Sequence, residues 1–266
     1  RMAVLPLDDV EIHYEDSGGS GAPVLLVHAF PLSGAMWRPQ IDALRDRFRL
    51  VAPDLMGFGS SSAPRDPGAY SMAAYAAHLE ALLAHLSIPR AVVVGLSMGG
   101  YIAFELLRRG RAGTAALVLA DTRAEADTPE GAHKRSDQQR RVLGGDVAGL
   151  ADDLVKALLS PRTLELRPEV AARARALMDG PPPGYVGALE ALKRRPDSTA
   201  DLAAIDVPTL VVVGEDDAVT PVDAARRLHD GIAGSRLAVL PGAGHLSSLE
   251  APDAFTDVLG GFLQSL

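Results

Sequence analysis

The chain contains no cysteine. That excludes disulfides, thiolate metal sites and a cysteine nucleophile, and leaves the redox compartment open. Aromatic residues are scarce, at 5% with a single tryptophan, so aliphatic side chains must fill the core. There is no basic excess either: 26 Lys and Arg against 34 Asp and Glu give a net charge of -8. Binding a phosphate backbone needs a basic patch. The one short cluster, Lys193-Arg194-Arg195, reads as a solvated helix face, and no nucleic-acid partner is expected. No apolar run approaches the roughly 18 residues of a membrane span. The first residues also lack the basic-then-apolar pattern of a secretion signal, so no membrane partner is expected and the cytoplasm is the default location. No G-x-G-x-x-G opens a helix and no Gly-Lys-Ser/Thr ends a loop, so no bound nucleotide is expected. No histidine pair has ligand spacing; cofactors and metals are both read as none.

What is present suits one α/β domain with an insertion: 266 residues, 47% of them hydrophobic. Two short alternating runs, 3–5 and 10–14, flank Asp8-Asp9 and predict a hairpin. Continuous apolar runs of strand length follow at 23–27, 50–52, 91–94, 115–120, 209–213 and 236–240. Short helical patterns separate most of them, which calls for a parallel sheet covered on both faces. Between 122 and 204 the strands stop. Helical stretches at 137–143, 147–159, 168–178 and 184–194 are punctuated by Pro161, Pro181-Pro182-Pro183 and Pro196. We therefore expect a core made of 1–121 and 205–266, with 122–204 inserted as a helical cap.

The chemistry centres on Gly95-Leu96-Ser97-Met98-Gly99-Gly100, where a β-branched strand runs straight into a helix. A residue at the apex of so tight a turn needs small neighbours two positions away. Gly95 and Gly99 are such neighbours, and the pattern is the G-x-S-x-G nucleophile elbow. Taken alone, the same pentapeptide also fits a serine that only caps a helix. A serine hydroxyl is a weak nucleophile near neutral pH and needs a base, and that base needs a third group to orient it. His245, in the glycine-rich loop after the last strand, is the best-placed base, since loops after parallel strands open where such sheets bind ligands. The acid lies in Glu215-Asp216-Asp217 after the preceding strand. His28 ends a strand and reads as a loop scaffold. The loop carrying Phe30 is expected to supply one backbone donor to an oxyanion and Met98 the other. Asp54 is expected to hold the loop that follows 50–52 by accepting backbone N–H bonds.

These segments resemble the α/β-hydrolase superfamily, in the subgroup of 3-oxoadipate enol-lactonases, cofactor-free haloperoxidases and related carboxylesterases. The matching stretches are His28-Ala29-Phe30-Pro31, the segment from Pro53 to Ser61, the elbow, Gly214-Glu215-Asp216-Asp217-Ala218-Val219-Thr220-Pro221 and Gly242-Ala243-Gly244-His245. In that family the acid is followed four residues on by proline, which implies Asp217. Asp121, at the end of the 115–120 strand, is the alternative, because some members draw their acid from there. The chain departs from the pattern at Ala29, where glycine is common, and at Met56, where arginine is common. Together these imply a serine hydrolase for a small-molecule ester or lactone. Ser97, His245 and Asp217 would be catalytic, Phe30 and Met98 would form the oxyanion hole, and Trp37, Phe30 and Met98 would line the substrate pocket. Perhydrolysis, carbon–carbon bond hydrolysis on the same groups, and a slow-turnover binding protein are the alternatives. The oligomeric state is not legible.

Overall fold

A computed structural model of the chain describes residues 2–266. Eight strands form one sheet in the order β1-β2-β4-β3-β5-β6-β7-β8. Strands β1 (Met2–Pro6) and β2 (Glu11–Asp16) make the expected antiparallel hairpin, and β2 also pairs antiparallel with β4 (Arg49–Pro53). The other pairings, through β3 (Pro23–Val27), β5 (Ala91–Leu96), β6 (Thr114–Ala120), β7 (Thr209–Gly214) and β8 (Arg236–Leu240), are all parallel. Registers such as Leu96↔Ala120 and Gly214↔Leu240 bring the ends of the central strands to one edge. That edge is where the functional loops emerge.

Central strands covered on both faces need apolar residues at every position, not alternate ones. Strand β5 is the clearest case: all six of its residues are buried. Burying each of Val92, Val93 and Val94 contributes about 1.5–3 kcal/mol of transfer free energy. The helices around the sheet are α1 (Arg38–Leu44), α2 (Met72–His85) and α3 (Met98–Gly110), then, after a run of helices between β6 and β7, α9 (Val222–Gly231), α10 (Ser247–Glu250) and α11 (Pro252–Gln264). Ser71 caps α2, its hydroxyl accepting from the Ala74 N–H at 3.0 Å.

Between β6 and β7 the chain runs through α4 (Pro129–Leu143), α5 (Val147–Leu158), α6 (Pro161–Leu166), α7 (Pro168–Ala176) and α8 (Pro182–Lys193), the stretch expected as an insert and given that label below. Helix α4 starts eight residues earlier than its apolar spacing predicts, at Pro129 rather than 137. Its first two turns, Pro-Glu-Gly-Ala-His-Lys-Arg-Ser, offer only one apolar side chain, so no helical period shows there. The usable signal is the cap: Thr128 accepts from Gly131 N–H, with Pro129 at the first helical position. The basic cluster also departs from expectation. Lys193 and Arg194 pair with Glu190, but Arg195 is buried, paired with Asp127, bonded to the Glu125 carbonyl and stacked 4.3 Å from the centre of the Tyr101 ring. Asp127 and the Glu125 carbonyl, at the start of this stretch, claim a cation from its end. No helix among the described residues is long and apolar enough to cross a membrane.

Candidate active site

Ser97 sits between β5 and α3 with φ 55° and ψ -111°, outside the conformations an ordinary residue prefers. Its neighbours hold it there. The Ser97 N–H donates to the Ala120 carbonyl at 2.9 Å, and the Ser97 carbonyl accepts from the Thr122 hydroxyl at 2.9 Å. A Cβ on Gly95 would overlap the Gly99 carbonyl, and one on Gly99 would overlap the Val27 carbonyl. Both positions therefore require glycine for close approach.

Three loops then converge. The Ser97 hydroxyl lies 2.8 Å from His245 Nε2, and His245 Nδ1 lies 2.8 Å from Asp217 Oδ2. His245 and Asp217 are both buried. Asp217 is held from the other side by the N–H groups of Val219 and Thr220, at 2.8 and 2.9 Å, and by the Thr220 hydroxyl at 2.7 Å. Burial alone would raise the Asp217 pKa. The charge and hydrogen bond of His245, with the donors of Thr220, outweigh it and hold the carboxyl below its ordinary value. A carboxylate that stays ionised beside Nδ1 fixes the tautomer that presents Nε2 to the serine. Thr220 was not singled out from the sequence; its place three residues after Asp217, able to bond back to that carboxylate, is the signal that marks it.

Asp121 takes a different position. Fully buried at the end of β6, it accepts from the Gly214 N–H at 2.8 Å, from the Ser247 N–H at 3.3 Å and from the Ser247 hydroxyl. Burial first, and then the negative charge of Asp217, push its pKa well above that of a free carboxyl. The imidazole bonds to Asp217, and Asp121 instead ties β6 to β7 and to α10.

The backbone N–H groups of Phe30 and Met98 donate to no acceptor among the described residues. His28 lies behind this loop: its Nδ1 faces the Ala29 carbonyl at 2.9 Å and its Nε2 accepts from the Leu55 N–H at 2.9 Å. Burial holds its pKa down, so it is a neutral scaffold. Asp54 accepts from the N–H groups of Gly34 and Ser60, both at 2.9 Å. No group of three or more potential metal ligands occurs among the described residues.

Above Ser97 and His245 is a cavity of about 130 Å³. Phe30 lines it. Trp37 and Met98 do not line it, a correction to the expected substrate pocket. Trp37 ends a short 3-10 turn, is fully buried, and packs its ring 5.8 Å from that of Phe255 on α11. Its spacing with Met36, Ile41 and Leu44 was that of a core face. Met98 is fully buried at the first turn of α3. The cavity wall comes instead from the insert. Leu154, Leu158 and Leu192 supply its apolar part, and Lys134, Arg135 and Gln138 of α4 its polar part.

Floor and wall are joined at one seam. The His245 N–H donates to the Leu158 carbonyl at 2.8 Å, the Ser160 N–H to Glu250 at 2.8 Å, and the Ser160 hydroxyl to the Gly242 carbonyl at 3.0 Å.

Residues 22–252 match a family described as alpha/beta hydrolase fold. A thermophilic esterase from Thermogutta terrifontis shares 37% identity with a TM-score of 0.94, over 100% of this chain and 98% of its own. 3-Oxoadipate enol-lactonase 2 of Acinetobacter baylyi is 30% identical over 94% of this chain and 92% of its own. A bromoperoxidase from Bacillus anthracis has a TM-score of 0.88 at 27% identity, over 99% of this chain and 100% of its own.

Proposed function

The chain belongs to the alpha/beta hydrolase fold family, and from that premise we propose that it is a serine hydrolase of carboxylic esters or lactones. One observation carries the reading: the unbroken line of hydrogen bonds from Ser97 through His245 to Asp217. Ser97 Oγ attacks the substrate carbonyl while His245 Nε2 takes its proton. The negative charge that forms on the carbonyl oxygen is met by the N–H groups of Phe30 and Met98. His245 then returns the proton to the leaving oxygen, giving an acyl-enzyme, and water attacks that intermediate by the same steps in reverse. Residues 122–204 act as a cap that selects the acyl group, and the enzyme needs no metal or cofactor. The esterase and enol-lactonase relatives support this substrate class.

Hydrolysis of p-nitrophenyl acetate and of a short lactone by wild type and Ser97→Ala tests it. Turnover should fall about 10⁴- to 10⁶-fold in the variant, and equal turnover by the two proteins would overturn the proposal. The bromoperoxidase relative favours a second reading, in which hydrogen peroxide replaces water and the acyl-enzyme releases a peracid. Peracid formed on adding peroxide, and lost in Ser97→Ala, would support it.

A further inference from the structure

Resting on the serine-hydrolase reading, we infer that the cavity-facing side of α4, Lys134, Arg135 and Gln138, is a subsite for a substrate carboxylate. The natural substrate is then a short ester or lactone that carries a free carboxylate away from the scissile bond.

Three observations carry this. First, the charge around the site opposes that of the whole chain. The protein has a net charge of -8, yet the residues lining the cavity include two cations and no carboxylate. Second, those cations are open. Lys134 has no ion pair or hydrogen bond among the described residues. Arg135 spends only its Nε on Asp127, at 3.3 Å, while Asp127 is also engaged by Arg195. The remaining N–H groups of the Arg135 guanidinium are left without an acceptor.

Third, Gln138 is 7% exposed, lines the same cavity, and its side chain makes no hydrogen bond among the described residues, its amide oxygen being buried without a partner. A buried amide oxygen with no partner is rare unless a ligand or water completes it. Positions 134, 135 and 138 are neighbours on one helical face, so the three groups act together. A carboxylate accepts from both cations and from the amide NH2, and the amide oxygen is left to accept from a substrate hydroxyl or a water.

The rest of the lining limits the substrate. Leu154, Ala157, Leu158 and Val219 offer only apolar contact between this face and Ser97. The volume, about 130 Å³, is near the ~150 Å³ of an apolar cavity that takes up benzene. A chain of a few carbons with an ester at one end and a carboxylate at the other fits these limits. A long acyl chain does not.

The experiment compares mono-p-nitrophenyl glutarate, which carries the carboxylate, with p-nitrophenyl valerate, the neutral ester of equal chain length. The readout is the ratio of their kcat/KM values in wild type, Lys134→Glu and Gln138→Leu. We expect wild type to favour the glutarate ester, and each substitution to lower the ratio about 10-fold or more, the scale of a hydrogen bond to a charged group. Lys134 is exposed, so that variant keeps its fold even if Gln138→Leu does not. Added glutarate should also inhibit valerate hydrolysis by wild type, and less so by Lys134→Glu. A wild-type ratio of one or below, or a ratio unmoved in Lys134→Glu, overturns the subsite while leaving the hydrolase reading intact. No turnover of either ester, in wild type as in Ser97→Ala, would sink the hydrolase reading and this inference with it.

Discussion

The floor of the cavity is made of strand ends, and its wall of helices from the insert; polar groups are treated in opposite ways on the two. On the floor, every acid is tied from several sides. Asp217 receives bonds from Val219, Thr220 and His245, and Asp121 from Gly214 and Ser247. On the wall, the side chains of Lys134 and Gln138 make no hydrogen bond among the described residues. A catalytic group must hold one geometry through every turnover, and a fully bonded carboxylate keeps a single rotamer and a fixed charge. A recognition group must keep its bonding capacity for a ligand that comes and goes. The unpaired groups of the wall are the ones that the carboxylate subsite inferred above would use.

The two carboxylates of the floor sharpen the point, because similar burial gives them opposite charge preferences. Asp217 faces an imidazole and is held ionised, while Asp121 faces hydroxyl and amide donors beside another acid and is driven toward its neutral form. Of the two, Asp217 is the one held in the charged form that stabilises an imidazolium, whereas Asp121 would first have to lose a proton.

Substitutions can break this contrast, starting from the floor. Asp217→Asn keeps the shape but reverses the tautomer preference at His245, and kcat should fall about 10⁴-fold in steady-state ester hydrolysis. In the wall, Leu154→Ala should shift preference from acetyl toward hexanoyl esters on the order of 10-fold, read as a ratio of kcat/KM values. The smallest effect is expected at Asp121→Asn. The raised pKa of Asp121 means the folded chain holds that proton more tightly than the unfolded one, so its contribution to stability is present at low pH and lost as pH rises toward the folded value. The variant removes that loss. Its Tm should decline less than that of wild type between pH 5 and 9, with kcat changed by less than about 10-fold; parallel Tm curves would contradict the assignment.

The floor was legible because its constraints are local and repeated. Buried parallel strands read as apolar runs, and each functional loop starts where a run ends, so Ser97, Asp217 and His245 could be located without contacts. Choosing Asp217 over Asp121 took the family resemblance as well. The wall was not legible, for a physical reason. The early turns of α4 are polar because one side meets solvent and the other meets the cavity, so no hydrophobic period marks Lys134 or Gln138 as inward. Trp37 misled in the opposite direction: an aromatic near a functional loop suggested a ligand, yet it fills the space between α1 and α11. Arg195 could not be recognised as buried because its partners, Asp127 and the Glu125 carbonyl, lie about 70 residues away.

The most direct test of the central claim is covalent. Wild type, Asp217→Asn and His245→Ala would be treated with a fluorophosphonate, and the labelling rate and labelled residue read by intact and peptide mass spectrometry. A single adduct on Ser97, formed rapidly in wild type and at least about 100-fold more slowly in both variants, is the expected result. An adduct elsewhere, or equal labelling of Ser97 in all three, would contradict a serine activated through His245 and Asp217.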